Sequence, residues 1–213
     1  MPVHVHVHTF NPFEENTYIL VADNNDCIII DPGCYDAGEQ AYLRDWITRE
    51  GWNPVSLINT HCHIDHILGN AFVANEYQLS LRIHQGELPV LKAGKMVAQM
   101  YGIPYEESPD PAGFISEHET IDFGDRKLKV LFAPGHSPAS VCFFNAEEQW
   151  LIGGDVLFHE SIGRTDLPGG NHEVLLKSIR TQLFTLPDNT VVHPGHGQST
   201  TIGYEKMFNP FLQ

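Results

Sequence analysis

The chain has 213 residues, 42% hydrophobic and 18% charged, an ordinary globular mix that excludes a disordered chain, a collagen-like repeat and a coiled coil. Twelve Lys+Arg against 27 Asp+Glu give a formal net charge of −15, a surface that repels phosphate backbones and argues against a nucleic-acid partner. Histidine stands out: there are 13, more than the lysines and arginines together, and imidazole is the commonest metal ligand.

The opening MPVHVHVHTF lacks the basic-then-apolar pattern of a secretory leader. Its alternation predicts a strand over 3–10 with the valines inside and His4, His6 and His8 outside. Strands follow at Thr17–Ala22 and Cys27–Ile30, joined by a turn over Asp23 to Asp26. Asp31-Pro32-Gly33 ends the sheet run, and residues 37–50 read as an amphipathic helix stopped by Gly51. An apolar strand at Val55–Asn59 leads into the loop Thr60–His66, with a helix starting near Asp65. Residues 84–104 predict helix and loop over an opening, His84 capping a helix. Strands are expected at 127–132, 140–145 and 149–153, then a helix at 171–184, a strand at 190–193 and a helix at 201–208. No stretch reaches the roughly 20 apolar residues of a membrane span. Cys27, Cys34, Cys62 and Cys142 are too irregularly spaced for a disulfide framework and read as buried thiols of a cytoplasmic protein, a monomer or a small homo-oligomer.

The plan reads as a single domain over 1–213, with two pseudo-repeated halves at about 1–110 and 111–213. Each half is a set of hairpin strands followed by helix and strand, which suggests an α/β protein with its sheets face to face and its helices outside.

The chemistry concentrates in His61-Cys62-His63-Ile64-Asp65-His66, directly after an apolar strand. On a tight loop His61 and His63 can point to one centre, while Asp65 and His66 point to a second. Neutral imidazole with carboxylate is the ligand set of Zn²⁺ and similar cations. Further candidates sit at strand ends: His136 in Pro134-Gly135-His136-Ser137, Asp155 after Gly153-Gly154, and His196 in Pro194-Gly195-His196-Gly197. In each, glycine lets the backbone turn and presents the next polar side chain at the sheet edge.

In this order the motifs resemble those of the metallo-β-lactamase superfamily, matched by Asp31, by His61/His63/Asp65/His66, by His136, by Asp155 and by His196. The resemblance implies a four-layer αββα sandwich with the metal site at the edge of the two sheets. It also implies two divalent metal ions, zinc first and iron or manganese as options. His61, His63 and His136 would hold the first ion, Asp65, His66 and His196 the second, and Asp155 would bridge. Asp31 would orient ligands by hydrogen bonds.

Within that superfamily His63 stands where the oxygen-reducing diiron members carry Glu. Asp155 stands where the true β-lactamases lack a bridging carboxylate. The added domain and basic surface of the nucleases are missing. The stretch Gly154–Phe158 continuing through Ser161–Gly170 resembles glyoxalase II of the short, single-domain type. That resemblance implies hydrolysis of a small thioester such as S-lactoylglutathione by hydroxide generated at the metals, with Asp65 orienting it and taking its proton. Arg164 would contact a substrate carboxylate, the alternative being an Arg164–Asp166 ion pair that shapes the loop. Thr165 and Asp166 replace the aromatic found there in two-domain glyoxalase II enzymes. The rival reading is a persulfide dioxygenase with a single iron, which shares the motifs.

Overall fold

The computed structural model describes residues 3–124 and 126–213. The first three strands form antiparallel neighbours: β1 (His4–Phe10), β2 (Glu15–Val21) and β3 (Asp26–Ile30). Every residue of β2 is buried, as expected of a strand covered on both faces. Helix α1 (Ala37–Glu50) follows, its start capped by Asp36 accepting from Glu39 N, its end by Gly51 at φ 70°. β4 (Asn53–Ile58) returns parallel to β3. After short helices α2 (Ile64–Ile67) and α3 (Asn70–Tyr77), β5 (Leu81–His84) adds parallel to β4. Helix α4 (Leu88–Tyr101) then precedes β6 (Gly113–Ile115), which completes a six-stranded sheet in sequential order.

The second sheet is built from β7 (Thr120–Phe123), β8 (Arg126–Phe132), β9 (Val141–Asn145) and β10 (Trp150–Gly154). A small hairpin, β11 (Leu157–Phe158) with β12 (Ser161–Ile162), leads to helix α5 (His172–Ser178), prolonged by a wider turn over Ile179–Leu183. β13 (Val191–Pro194) inserts parallel to β10, and β14 (Thr200–Thr201) and helix α6 (Ile202–Phe208) end the chain, giving the order β14-β13-β10-β9-β8-β7.

Three apolar clusters define four layers. Tyr18, Ile28, Ile30, Ile58, Leu128 and Phe143 pack between the two sheets. Ile29, Leu43, Ile47, Leu57 and Leu91 join the first sheet to its helices, and Leu151, Leu175, Ile179 and Ile202 do the same for the second. The αββα sandwich expected from the sequence is therefore present. No helix among the described residues is long and apolar enough to cross a membrane.

The sheets are stitched along one edge, where Asn16 N donates to Gly195 O at 2.8 Å, Val141 N to Thr60 O at 2.9 Å and the Tyr18 hydroxyl to Pro194 O at 2.7 Å. At this edge β3, β4, β8, β10 and β13 end just before Asp31, His61, His136, Asp155 and His196. Parallel pairing of β3 with β4 and of β10 with β13 places those ends together.

Several local expectations change. β1 does not simply bury its valines: Val7 is exposed, while His6 and His8 lie half-buried against Trp52 and Tyr42, with ring centroids 4.5 and 4.2 Å apart. The strand lies at the sheet margin, and its histidine face meets the aromatics of α1 and the turn after it. The short strands β6, β7, β11 and β12 had no sequence signal, because two to four residues carry too few alternations. His84 does cap, but a single 3₁₀ turn, accepting from Gly86 N.

Phe143 is fully buried between the sheets. Phe143→Ala should cost about 3–5 kcal/mol and lower the thermal midpoint by about 10 °C. A shift of only a degree or two in a melting curve would place that residue outside the tight core.

Candidate active site

The loop after β4 turns sharply enough to bring His61 and His63 to one point, and His136 arrives from the loop after β8. His136 Nε2 lies 2.8 Å from His63 Nδ1 and 3.2 Å from His61 Nε2. Asp65 and His66, on α2, meet His196 from the loop after β13: Asp65 Oδ2 is 3.0 Å from His196 Nε2 and 3.6 Å from His66 Nε2. Each trio offers ligand atoms within 4.8 Å of one another. Asp155 lies between them, its Oδ2 3.5 Å from both His136 Nε2 and His196 Nε2, and its Oδ1 3.4 Å from His66 Nε2. All seven predicted residues thus converge. Gly195 makes the approach possible, since a Cβ there would stand 2.1 Å from Asp155 Oδ1.

Whether cations fit can be judged from the donors. Three imidazole nitrogens converge at hydrogen-bonding distance, where their protons cannot satisfy them all, and His66 Nε2 and Asp155 Oδ1 are buried without a hydrogen-bond partner. Four of the histidines have their outward nitrogen committed. His136 Nδ1 donates to Arg164 O at 2.8 Å, His196 Nδ1 to Phe13 O at 3.0 Å and His66 Nδ1 to Asp31 Oδ2 at 3.1 Å. His61 Nδ1 donates to Thr60 Oγ1 at 3.0 Å, and that hydroxyl donates on to Asp31 Oδ2 at 2.5 Å. Each of these contacts assigns a proton to Nδ1 and turns Nε2 inward, towards the cluster. The donor set suits divalent cations.

Asp31 also belongs to a third cluster with His61 and His66. Its Oδ1 accepts from Thr60 N at 2.7 Å and its Oδ2 from Thr60 Oγ1 and His66, so it is hydrogen-bonded to one clustered imidazole directly and to another through a hydroxyl. Asp31 itself takes φ 51°, in the left-handed region, which turns its side chain back under the loop.

Charge differs between the two trios. Burial and the neighbouring histidines push His61 far below its usual pKa. Burial, then His136, pushes His63 down to about 3, and burial also lowers His136. These three stand neutral, lone pairs ready. Burial opposes charge at His66 too, but the Asp155 and Asp65 carboxylates outweigh it and raise its pKa well above normal. His196 is raised in the same way, against burial, by its hydrogen bond to Asp65 and by Asp155. Asp155 and Asp65 are held below the carboxylate range by these histidines, again against burial.

Arg164 lines the cleft, but its Nε and Nη2 each donate to Asp166 at 2.7 Å. The loop-shaping ion pair is therefore formed, and it is the Arg164 carbonyl that touches the site, through His136. His193, three residues before His196, pairs with Ser199 Oγ at 3.0 Å.

Two buried carboxylates escaped the sequence reading. Glu87, just before α4, accepts from Cys62 N at 2.9 Å, Ala139 N at 2.7 Å and the Ser137 hydroxyl at 2.7 Å, clamping the loop of His61 and His63 to the loop of His136. Glu15 lies 3.8 Å from His66 Nδ1 and accepts from Thr17 Oγ1 at 2.9 Å. An acid just ahead of the apolar run Tyr18–Val21 was the available signal for Glu15. Glu87 reads from sequence as an ordinary acid at a helix start.

Residues 11–196 match the family model of the metallo-beta-lactamase superfamily. The chain is 38% identical to the "Probable metallo-hydrolase YqgX" of Bacillus subtilis over 202 residues, 94% of this chain and 93% of the relative. It is 34% identical over 203 residues to "Hydroxyacylglutathione hydrolase GloC" of Haemophilus influenzae, 94% and 93% of the two chains. Among solved structures, the BLEG-1 B3 metallo-beta-lactamase superposes with a TM-score of 0.90 at 34% identity, covering 98% of this chain and 99% of that one. TTHA1623 in a di-iron-bound form gives 0.88 at 35% identity, covering 97% and 100%. This chain belongs to the metallo-β-lactamase superfamily, a metallo-hydrolase by its relatives and its His/Asp cluster.

Two outcomes follow. Loading metal-free protein with Zn²⁺ at neutral pH should release at least one proton per chain from the His66/His196 trio, read by calorimetry in buffers of different ionisation enthalpy; no release would contradict the charge assignment. Glu87→Gln sets an amide donor against three donors and should weaken metal binding about 10- to 100-fold. Unchanged affinity in a chelator competition would remove Glu87 from the clamp.

Proposed function

We propose that this chain is a binuclear metal-dependent hydrolase that cleaves a small thioester, of the glyoxalase II type. The observation that carries the reading is Asp155, whose two oxygens face both ligand trios within 3.4–3.5 Å. A second complete trio, Asp65/His66/His196, offers ligands for a second ion and supports the binuclear reading. Similarity to a protein named hydroxyacylglutathione hydrolase supports the substrate class. Zinc is the expected metal, and similarity to a di-iron-bound protein keeps iron in view.

Divalent cations held here would make a water acidic near neutral pH and polarise the thioester carbonyl. The chain's own residues do the rest. Asp65, ionised and partly exposed at the cleft floor, accepts the proton of the attacking water and fixes its direction. Asp31, Thr60 and Glu87 keep the imidazoles from swinging as charge shifts. The carbonyl carbon gains a bond to the water oxygen and loses its bond to sulfur. A thiolate leaves readily, its ordinary pKa being about 8.5, and takes up the proton in the cleft, so no strong general acid is required. All four cysteines are free and buried, which supports a reducing, cytoplasmic setting.

β-Lactam hydrolysis is a second reading, favoured by the likeness to BLEG-1. One assay set separates the readings: S-lactoylglutathione, a chromogenic cephalosporin and a persulfide, each on protein of measured metal content. Thioester turnover with about two ions per chain, abolished by chelation and lowered by orders of magnitude in Asp155→Ala with loss of an ion, is expected. Cephalosporin turnover alone, or oxygen uptake with one iron, would replace this reading.

A further inference from the structure

We infer that the substrate's acyl group is an uncharged, apolar chain laid along α4, an inference that rests on the thioester-hydrolase reading. The ligand trios open into a cleft of about 1090 Å³, at the upper end of small-molecule sites. One wall of that cleft is a single face of α4, presenting Val90, Ala93, Val97 and Tyr101 at helical spacing. Eleven residues separate the first and last of these, about 16 Å at 1.5 Å per residue. Across the mouth, Phe13 meets Tyr101 edge-to-face, with ring centroids 5.3 Å apart.

Three observations point to an apolar occupant. Met96 and Tyr101, which line the cleft, are 60% and 52% exposed, large apolar surface left open beside the ligand cluster. In a chain with 27 acidic residues, α4 carries none, and its Lys92 and Lys95 are paired with Asp110 and Glu107. Among the described residues Arg164 is the one Lys or Arg lining the cleft, and its fork is filled by Asp166, whose carboxyl the pair pushes down to about 2. A thioester carrying charges on both arms would find one engaged cation and a hydrocarbon wall. Carrier thiols are polar, so the apolar arm is the acyl group.

The test uses the metal-loaded protein and N-acetylcysteamine thioesters from acetyl to octanoyl, with S-lactoylglutathione as reference. Each buried methylene should raise kcat/KM about fourfold, chiefly through KM. Met96→Glu should flatten that slope while melting at an unchanged temperature. A second readout needs no turnover: a hydrolysis-resistant octanoyl ketone analogue should bind metal-free protein with a negative heat-capacity change, and Met96→Glu should abolish this. Turnover of S-lactoylglutathione with a flat or falling chain-length series would overturn the apolar arm and leave the thioesterase standing. Binding of the analogue without turnover of any thioester would keep the apolar cleft and reject the thioester. Neither binding nor turnover would reject both.

Discussion

Everything at this sheet edge depends on lone pairs that cannot satisfy one another. Three imidazole nitrogens meet at 2.8–3.2 Å, and because His61 and His136 already donate through Nδ1, their inward nitrogens have no proton to give. Such crowding is costly unless something positive occupies the centre. The two trios differ in charge. One goes neutral, and the other traps protons between imidazoles and carboxylates. Cations held there would meet those lone pairs, which would couple metal binding to the stability of the fold.

The remaining structure holds that arrangement still. Asp31, turned under its loop in a left-handed conformation, receives His66 directly and His61 through the Thr60 hydroxyl. Glu87 joins the loops of both sheets from a third direction. None of these carboxylates needs to touch a metal or a substrate to matter. Each converts a mobile loop into a fixed angle, and fixed angles let a developing charge be stabilised without reorganisation.

The legible part of the site was that carried by spacing. His61 to His66 lie within one short stretch, and His136, Asp155 and His196 each follow a glycine at a strand end, so chemistry and turn geometry coincide in the sequence. The orienting groups were less legible in proportion to their isolation. Thr60 looks like any strand-end threonine, and Glu87 is 25 residues from Cys62 and 52 from Ala139. A lone buried acid has no periodic signature; only its partners in space reveal it. In the fold, the long buried strands and capped helices were visible through alternation and caps. The short strands β6, β7, β11 and β12 form because neighbours impose them. The histidines of β1 misled because a margin strand can be half-covered on both faces, a pattern that alternation cannot distinguish from a one-sided burial.

One helix connects these two levels. α4 begins at the residue after Glu87, so the segment that clamps the ligand loops also presents the apolar wall of the cleft. Movement of the wall would pull on hydrogen bonds to Cys62 N and Ala139 N, and hence on the directions of His61, His63 and His136. The apolar contacts of Leu91 and Ala98 with the first-sheet core oppose such movement. Burial there thus anchors the recognition surface and the ligand geometry together. A substrate seated against α4 presses on an element whose own foot is fixed in the metal-binding loops, which lets binding at the wall be felt at the reacting carbon.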